Sequence, residues 1–120
     1  MHCTEENNVA KIREYDYKIK LIDPFDDKLT IANETDMYHF GMCNWKTQTI
    51  YIAKGLNKEM TKRVVIHEIT HAVMEAYGFH AHADDFDKED ICEFMAVYAE
   101  EIIRLYNELM LEVKQNGTIR

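Results

Sequence analysis

Residues Thr49–Tyr77 read TIYIAKGLNKEMTKRVVIHEITHAVMEAY, a strand running into a helix, and that junction sets the fold class. Ile50 and Ile52 alternate with Tyr51, so an extended Thr49–Ala53 puts the isoleucines on one face and the tyrosine on the other. Gly55 and Asn57 then punctuate the chain. Asn57 is a good N-cap and Gly78 accepts the left-handed conformation that commonly follows a helix end, so the spacing predicts a helix over Lys58–Tyr77. Val65, Ile69, Val73 and Ala76 recur at helical spacing and form a stripe to bury, while His67 and His71 occupy an adjacent face.

Upstream, Met37–Met42 and Thr49–Ala53 flank a polar connection, Asn44–Gln48, and read as a hairpin. Gly41 inside the first arm marks a bulge or a close backbone approach. Tyr15, Tyr17, Ile19 and Leu21 alternate with Asp16, Lys18 and Lys20, a strand with one buried face that Asp23 and Pro24 end. Leu29–Ile31 is compatible with a short extended piece, but too brief to assign.

Downstream, Phe79–Phe86 is a loop rich in His and Asp, and Asp87 caps a second helix reaching about Asn116, with Gly117 beyond it. Ile91, Met95, Tyr98, Ile102, Leu105, Leu109 and Val113 step by three and four, a seam that packs on the first helix and the sheet. The expected fold is α+β: a small, mainly antiparallel sheet against the Lys58–Tyr77 helix and a long C-terminal helix. Residues 1–120 are one domain on the usual length prior.

The net charge of −8 and the absence of a basic stripe argue against a nucleic-acid partner. Cys3, Cys43 and Cys92 are widely spaced, odd in number and form no CxxC pair, which points to a reducing compartment. Met1–Ala10 is polar and acidic, unlike a signal peptide, and no apolar run approaches the roughly 20 residues of a membrane span. A cytoplasmic location is expected, with no membrane partner. Oligomeric state is not legible.

The chemistry is concentrated in His67-Glu68-Ile69-Thr70-His71, an HExxH pattern. About 3 in 100 shuffled chains of this composition would contain it by chance, so the helical context is what makes it specific. Residues four apart on a helix stand one turn above each other, with Cβ atoms about 5 to 6 Å apart, so both imidazoles can converge on one zinc ion. Glu68 projects about 100° around the axis, near the metal without having to coordinate it, where a carboxylate can take a proton from water. Its expected role is general base. Two imidazoles and a carboxylate beside an apolar stripe would be awkward to bury without a cation.

A catalytic zinc needs a third protein ligand and an open position. Glu89 and Glu93, 18 and 22 residues after His71 and four apart on the second helix, both qualify. Glu89 is the expected ligand, with Glu93 accepting a hydrogen bond from the free nitrogen of a ligating imidazole. The reverse assignment, Glu93 as ligand, stays open, and Asp90 is a weaker candidate. Glu100, Glu101, Glu108 and Glu112 read as solvated charges. His80 and His82 do not match the extended three-His pattern of another metallopeptidase class and belong to a polar loop or to the rim of the site. His39, Tyr51, Tyr77 and Tyr98 are candidate donors to a developing oxyanion.

Thr49–Tyr77, together with Glu89-Asp90-Ile91-Cys92-Glu93-Phe94, resembles the small zincin-like metallopeptidases encoded by phages and mobile elements of Gram-positive bacteria, which look related to the broader ImmA/IrrE-type peptidases. The resemblance covers roughly residues 37 to 105. It implies a minimal zincin fold and a Glu-x-x-x-acid pair like that of the gluzincins, which Glu89 and Glu93 match. The chain lacks a clear Glu-Ala-Asn-x-Phe-Ala block, so repressor cleavage does not carry over.

The function expected is hydrolysis of a peptide bond in a peptide or protein substrate by zinc-activated water, with Glu68 as base. A sheet edge beside the cleft would align an extended substrate by strand addition. The alternative is a catalytically silent zincin-fold protein that keeps its zinc and binds or regulates a partner.

Overall fold

The alternation in Tyr15–Ile22 produces strand β2 in the computed structural model of the chain, which describes residues 9–32, 40–78 and 87–115. Tyr17 and Ile19 are buried on its inner face, and Lys20 is exposed on the other. Strand β1 (Val9–Ile12) precedes it and pairs antiparallel, from Val9 opposite Lys18 to Ile12 opposite Tyr15. The sequence does not predict β1, because the turn carries no Asn-Gly or Asp-Gly signal. Arg13 instead takes the left-handed conformation there, with φ of 55°.

The segment around Leu29 is helical, not extended. Helix α1 (Asp27–Ala32) starts where the Asp26 carboxylate accepts a hydrogen bond from the Lys28 amide at 2.9 Å. Leu29 is buried. The predicted hairpin is present as β3 (Gly41–Asn44) and β4 (Thr49–Ala53), with Gly41 opposite Ile52 and Asn44 opposite Thr49. The Asn44 side chain accepts from the amides of Lys46 and Thr47 at 3.0 and 3.2 Å, an Asx-type turn. Of the first predicted arm, residues 37–39 lie outside the described residues.

The sheet order is β1-β2-β4-β3, so β3 is an edge strand. Two pairings are antiparallel, as predicted. The third, β2 with β4, is parallel from Lys18 opposite Thr49 to Ile22 opposite Ala53. Parallel neighbours need a crossover, and the segment between them, carrying α1 and β3, makes it.

Helix α2 (Lys58–Ala76) covers the inner face of the sheet. Asn57 caps it by accepting from the Met60 amide at 2.8 Å, and Gly78 follows at φ of 81°. Val65, Ile69, Val73 and Ala76 are all buried, in one core with Ile19, Ile50 and Ile52. Each valine or isoleucine among them contributes about 1.5–3 kcal/mol on burial. Arg13 donates to the Ala76 carbonyl at 3.1 Å, placing a cation at the negative end of α2.

Helix α3 (Lys88–Gln115) opens with a reciprocal cap: the Asp87 carboxylate accepts from the Asp90 amide, and Asp90 from the Asp87 amide, both at 3.0 Å. Its buried stripe runs through Phe94, Ile102, Leu105 and Leu109. At the start of the seam the prediction is displaced, because Ile91 and Met95 are 50 % and 46 % exposed while Phe94 is 2 % exposed. Ring packing selects that stripe: Phe94 meets Tyr98 with centroids 5.1 Å apart, and Tyr98 meets Tyr77 at 4.7 Å. Among the described residues, no helix is long and apolar enough to cross a membrane.

Candidate active site

The spacing of His67 and His71 brings their rings one above the other on α2, with centroids 4.9 Å apart and planes at 73°. Both residues are exposed. Glu68, one step around the helix, is only 3 % exposed and faces the inner side of β3. Helix and edge strand are close enough there that a β-carbon on Gly41 would stand 2.6 Å from Val64 Cγ1 and 3.0 Å from Glu68 Cγ and Oε2. Of the two readings of Gly41, close backbone approach is the one the structure carries.

A cavity of about 70 Å³ opens beside this contact, lined by Arg63, Val64, His67 and Glu68. A water needs roughly 10–15 Å³ of such space, so water can reach both the carboxylate and the first imidazole. Cys43 lies two residues beyond Gly41, on the same face of β3. Burial pushes its thiol up to about 12, and the negative charges of Glu68 and Glu75 act in the same direction. Arg63, Cys43 and Glu75 are neighbours that the sequence reading does not single out. Arg63 and Glu75 stand one turn before His67 and one turn after His71, a spacing that could have marked them.

Glu89 and Glu93 are exposed on the first two turns of α3. Helix α3 meets the C-terminal end of α2 first: the Tyr77 hydroxyl donates to Glu101 Oε1 and Oε2, each at 3.0 Å. Farther along α3, burial first and the charge of Glu59 on the first turn of α2 next raise the Tyr106 phenol. At 1.5 Å per residue, Glu93 and Glu89 lie about 12 and 18 Å along α3 before Glu101, while His71 lies about 9 Å back along α2 from Tyr77. Among the described residues, no group of three or more His, Cys, Asp or Glu side chains is placed to hold a metal ion. His39, His80 and His82 lie outside the described residues.

No family model, curated protein or solved structure matches the chain.

The remaining candidates are placed as follows. Asp90 is engaged in the cap of α3. Tyr51 points from the sheet face opposite Ile50 and Ile52, with the Lys28 ammonium 5.5 Å from its ring centroid. Tyr77 and Tyr98 stack at the junction of α2 and α3, on a different side of α2 from the imidazoles. Glu101 is not a solvated charge, since it holds the Tyr77 hydroxyl. Glu108 lies on an exposed face and pairs with Arg104 at 2.9 Å.

Proposed function

We propose that this chain is a zinc-dependent peptidase of minimal zincin type, in which Glu68 is the general base and His67 and His71 hold the metal. One observation carries the reading. A carboxylate only 3 % exposed is pressed against an edge strand and opens onto a cavity, roomy enough for water, that it shares with an imidazole. Burying a carboxylate is costly, and a packing role would be served better by an apolar residue.

The imidazole pair fits the ion by type and spacing. The third ligand in this reading is Glu89, with Glu93 as its alternative and as the group that orients a ligating imidazole. The ion supplies a lowered pKa for bound water and polarisation of the scissile carbonyl. Glu68 takes the proton of the attacking water and passes it to the leaving amine. Gly41 sets the height of β3 against Glu68, and a peptide added to the β3 edge would bring its backbone past that carboxylate.

A silent zincin-fold binding protein of a phage or mobile element is the second reading. It is favoured by there being, among the described residues, no group of three or more His, Cys, Asp or Glu side chains placed to hold a metal ion. Glu68→Gln separates the two. Loss of peptide cleavage with zinc retained supports the peptidase; an unaltered chain that holds zinc, binds a partner equally well with or without the substitution, and cleaves nothing supports the binding protein.

A further inference from the structure

A second and larger cavity, about 380 Å³, lies two turns along α2 from the first, where the β3–β4 turn meets the end of the helix. It is lined by Tyr15, Tyr17, Trp45, Lys46, Gln48 and Glu75. Three aromatic faces and a carboxylate make an environment that favours a positive charge and disfavours a negative one. The chain already uses one of these rings in that way, since the Lys46 ammonium stands 5.8 Å from the Trp45 ring centroid. The Tyr17 phenol is pushed up to about 12, by burial first, then by the Cys43 thiol and by the negative charge of Glu75, so the ring stays neutral.

We infer that this cavity is a specificity subsite for a basic side chain, arginine or lysine, of a bound polypeptide. Its volume accommodates a guanidinium with its aliphatic stem, the stem lying against the rings and the head group reaching Glu75. Its position relative to a scissile bond rests on the peptidase reading. Glu68, in contact with Gly41 of β3, and Glu75, in the wall of the cavity, are seven residues apart on one helix, about 10 Å, the length of about three residues of extended peptide. A peptide antiparallel to β3 would place its basic residue about three positions before the bond at Glu68.

Trp45 is the only tryptophan of the 120 residues, so its emission reports this cavity directly. An acetylated, amidated glycine–serine hexapeptide with one arginine is titrated into the unaltered chain. A second titration uses the citrulline counterpart, which keeps the shape and loses the charge. Mass spectrometry of the same samples follows peptide integrity. The expected result is a saturable emission change with at least ten-fold preference for arginine, removed by Glu75→Gln and strengthened several-fold by Lys46→Met, which vacates the Trp45 face. Equal titrations for the two peptides, or no saturable change, overturn the subsite. Arginine preference without any cleavage leaves the subsite standing and counts against the peptidase; cleavage without preference does the reverse.

Discussion

Gly41 and Glu68 are in contact across the helix–strand boundary: the space where residue 41 would carry a β-carbon lies 3.0 Å from two atoms of the Glu68 side chain. The edge strand therefore sets where the carboxylate stands.

Gly41→Ala should destabilise the chain by about 1–3 kcal/mol, the usual cost of overpacking a tight contact. The worst clash is with Val64 Cγ1 at 2.6 Å, so Val64→Ala in the same chain should recover part of the loss. Urea unfolding of the two single variants and the double variant checks this. An unchanged midpoint for Gly41→Ala would mean that the strand withdraws at no cost.

Metal analysis of protein purified without a His tag should find one zinc per chain, lost in His67→Ala and in His71→Ala. Glu89→Ala and Glu93→Ala then identify the third ligand: the ligand's removal abolishes stoichiometric binding, whereas loss of an orienting group weakens it about 10–100-fold. Chelation should lower the melting temperature of the unaltered chain and leave the His67→Ala chain unmoved. A chain that takes up no zinc at all removes the basis of the peptidase reading.

Glu68→Gln should reduce cleavage by about 10²–10⁴-fold, the range of general-base contributions. Gln keeps the shape of the side chain against Gly41, so stability should change by no more than about 1 kcal/mol while activity falls. Rates on a peptide library and urea midpoints measure the two sides. A variant both fully active and less stable would assign Glu68 to structure alone.

Alkaline pH should unfold the chain through Cys43 and Tyr17. Their folded values are raised to about 12, from 9.0 for the thiol and 10.0 for the phenol, so the folded state keeps protons that the unfolded state releases. The stability is whole below pH 9 and is lost as pH rises toward 12, at about 1.4 kcal/mol per pH unit for each such proton. Cys43→Ala should flatten the decline between pH 9 and 10, read from urea midpoints across that range. An equal slope in both chains would exclude the thiol as its source.

Tyr77→Phe removes the hydroxyl that donates to Glu101 and should cost about 1 kcal/mol. Zinc content should not change, since Tyr77 faces α3 and not the imidazoles. Altered zinc content would tie the α2–α3 junction to the metal site.

Local patterns were legible wherever one short-range rule dominated. The cap at Asn57, the stripe Val65-Ile69-Val73-Ala76, the left-handed Gly78 and the 67/71 pairing are all set within one or two turns of chain. Strand β1 was not legible, because its turn is closed by Arg13, a residue type that seldom adopts positive φ. The start of α3 was ambiguous, because Ile91-Met95 and Phe94-Tyr98 are equally regular apolar rows. Only contact with Tyr77 chose between them.

Helical periodicity sufficed to bring two imidazoles together and to turn Glu68 away from them, since both follow from 3.6 residues per turn. It could not say that Glu68 meets Gly41, that the Cys43 thiol is buried within the field of Glu68 and Glu75, or that Trp45 and Glu75 share a cavity. Those meetings join residues distant in the chain, and they depend on how β3 packs on α2 and how α3 crosses it. That relative placement arises from burying side chains of several elements at once, and no local spacing encodes it.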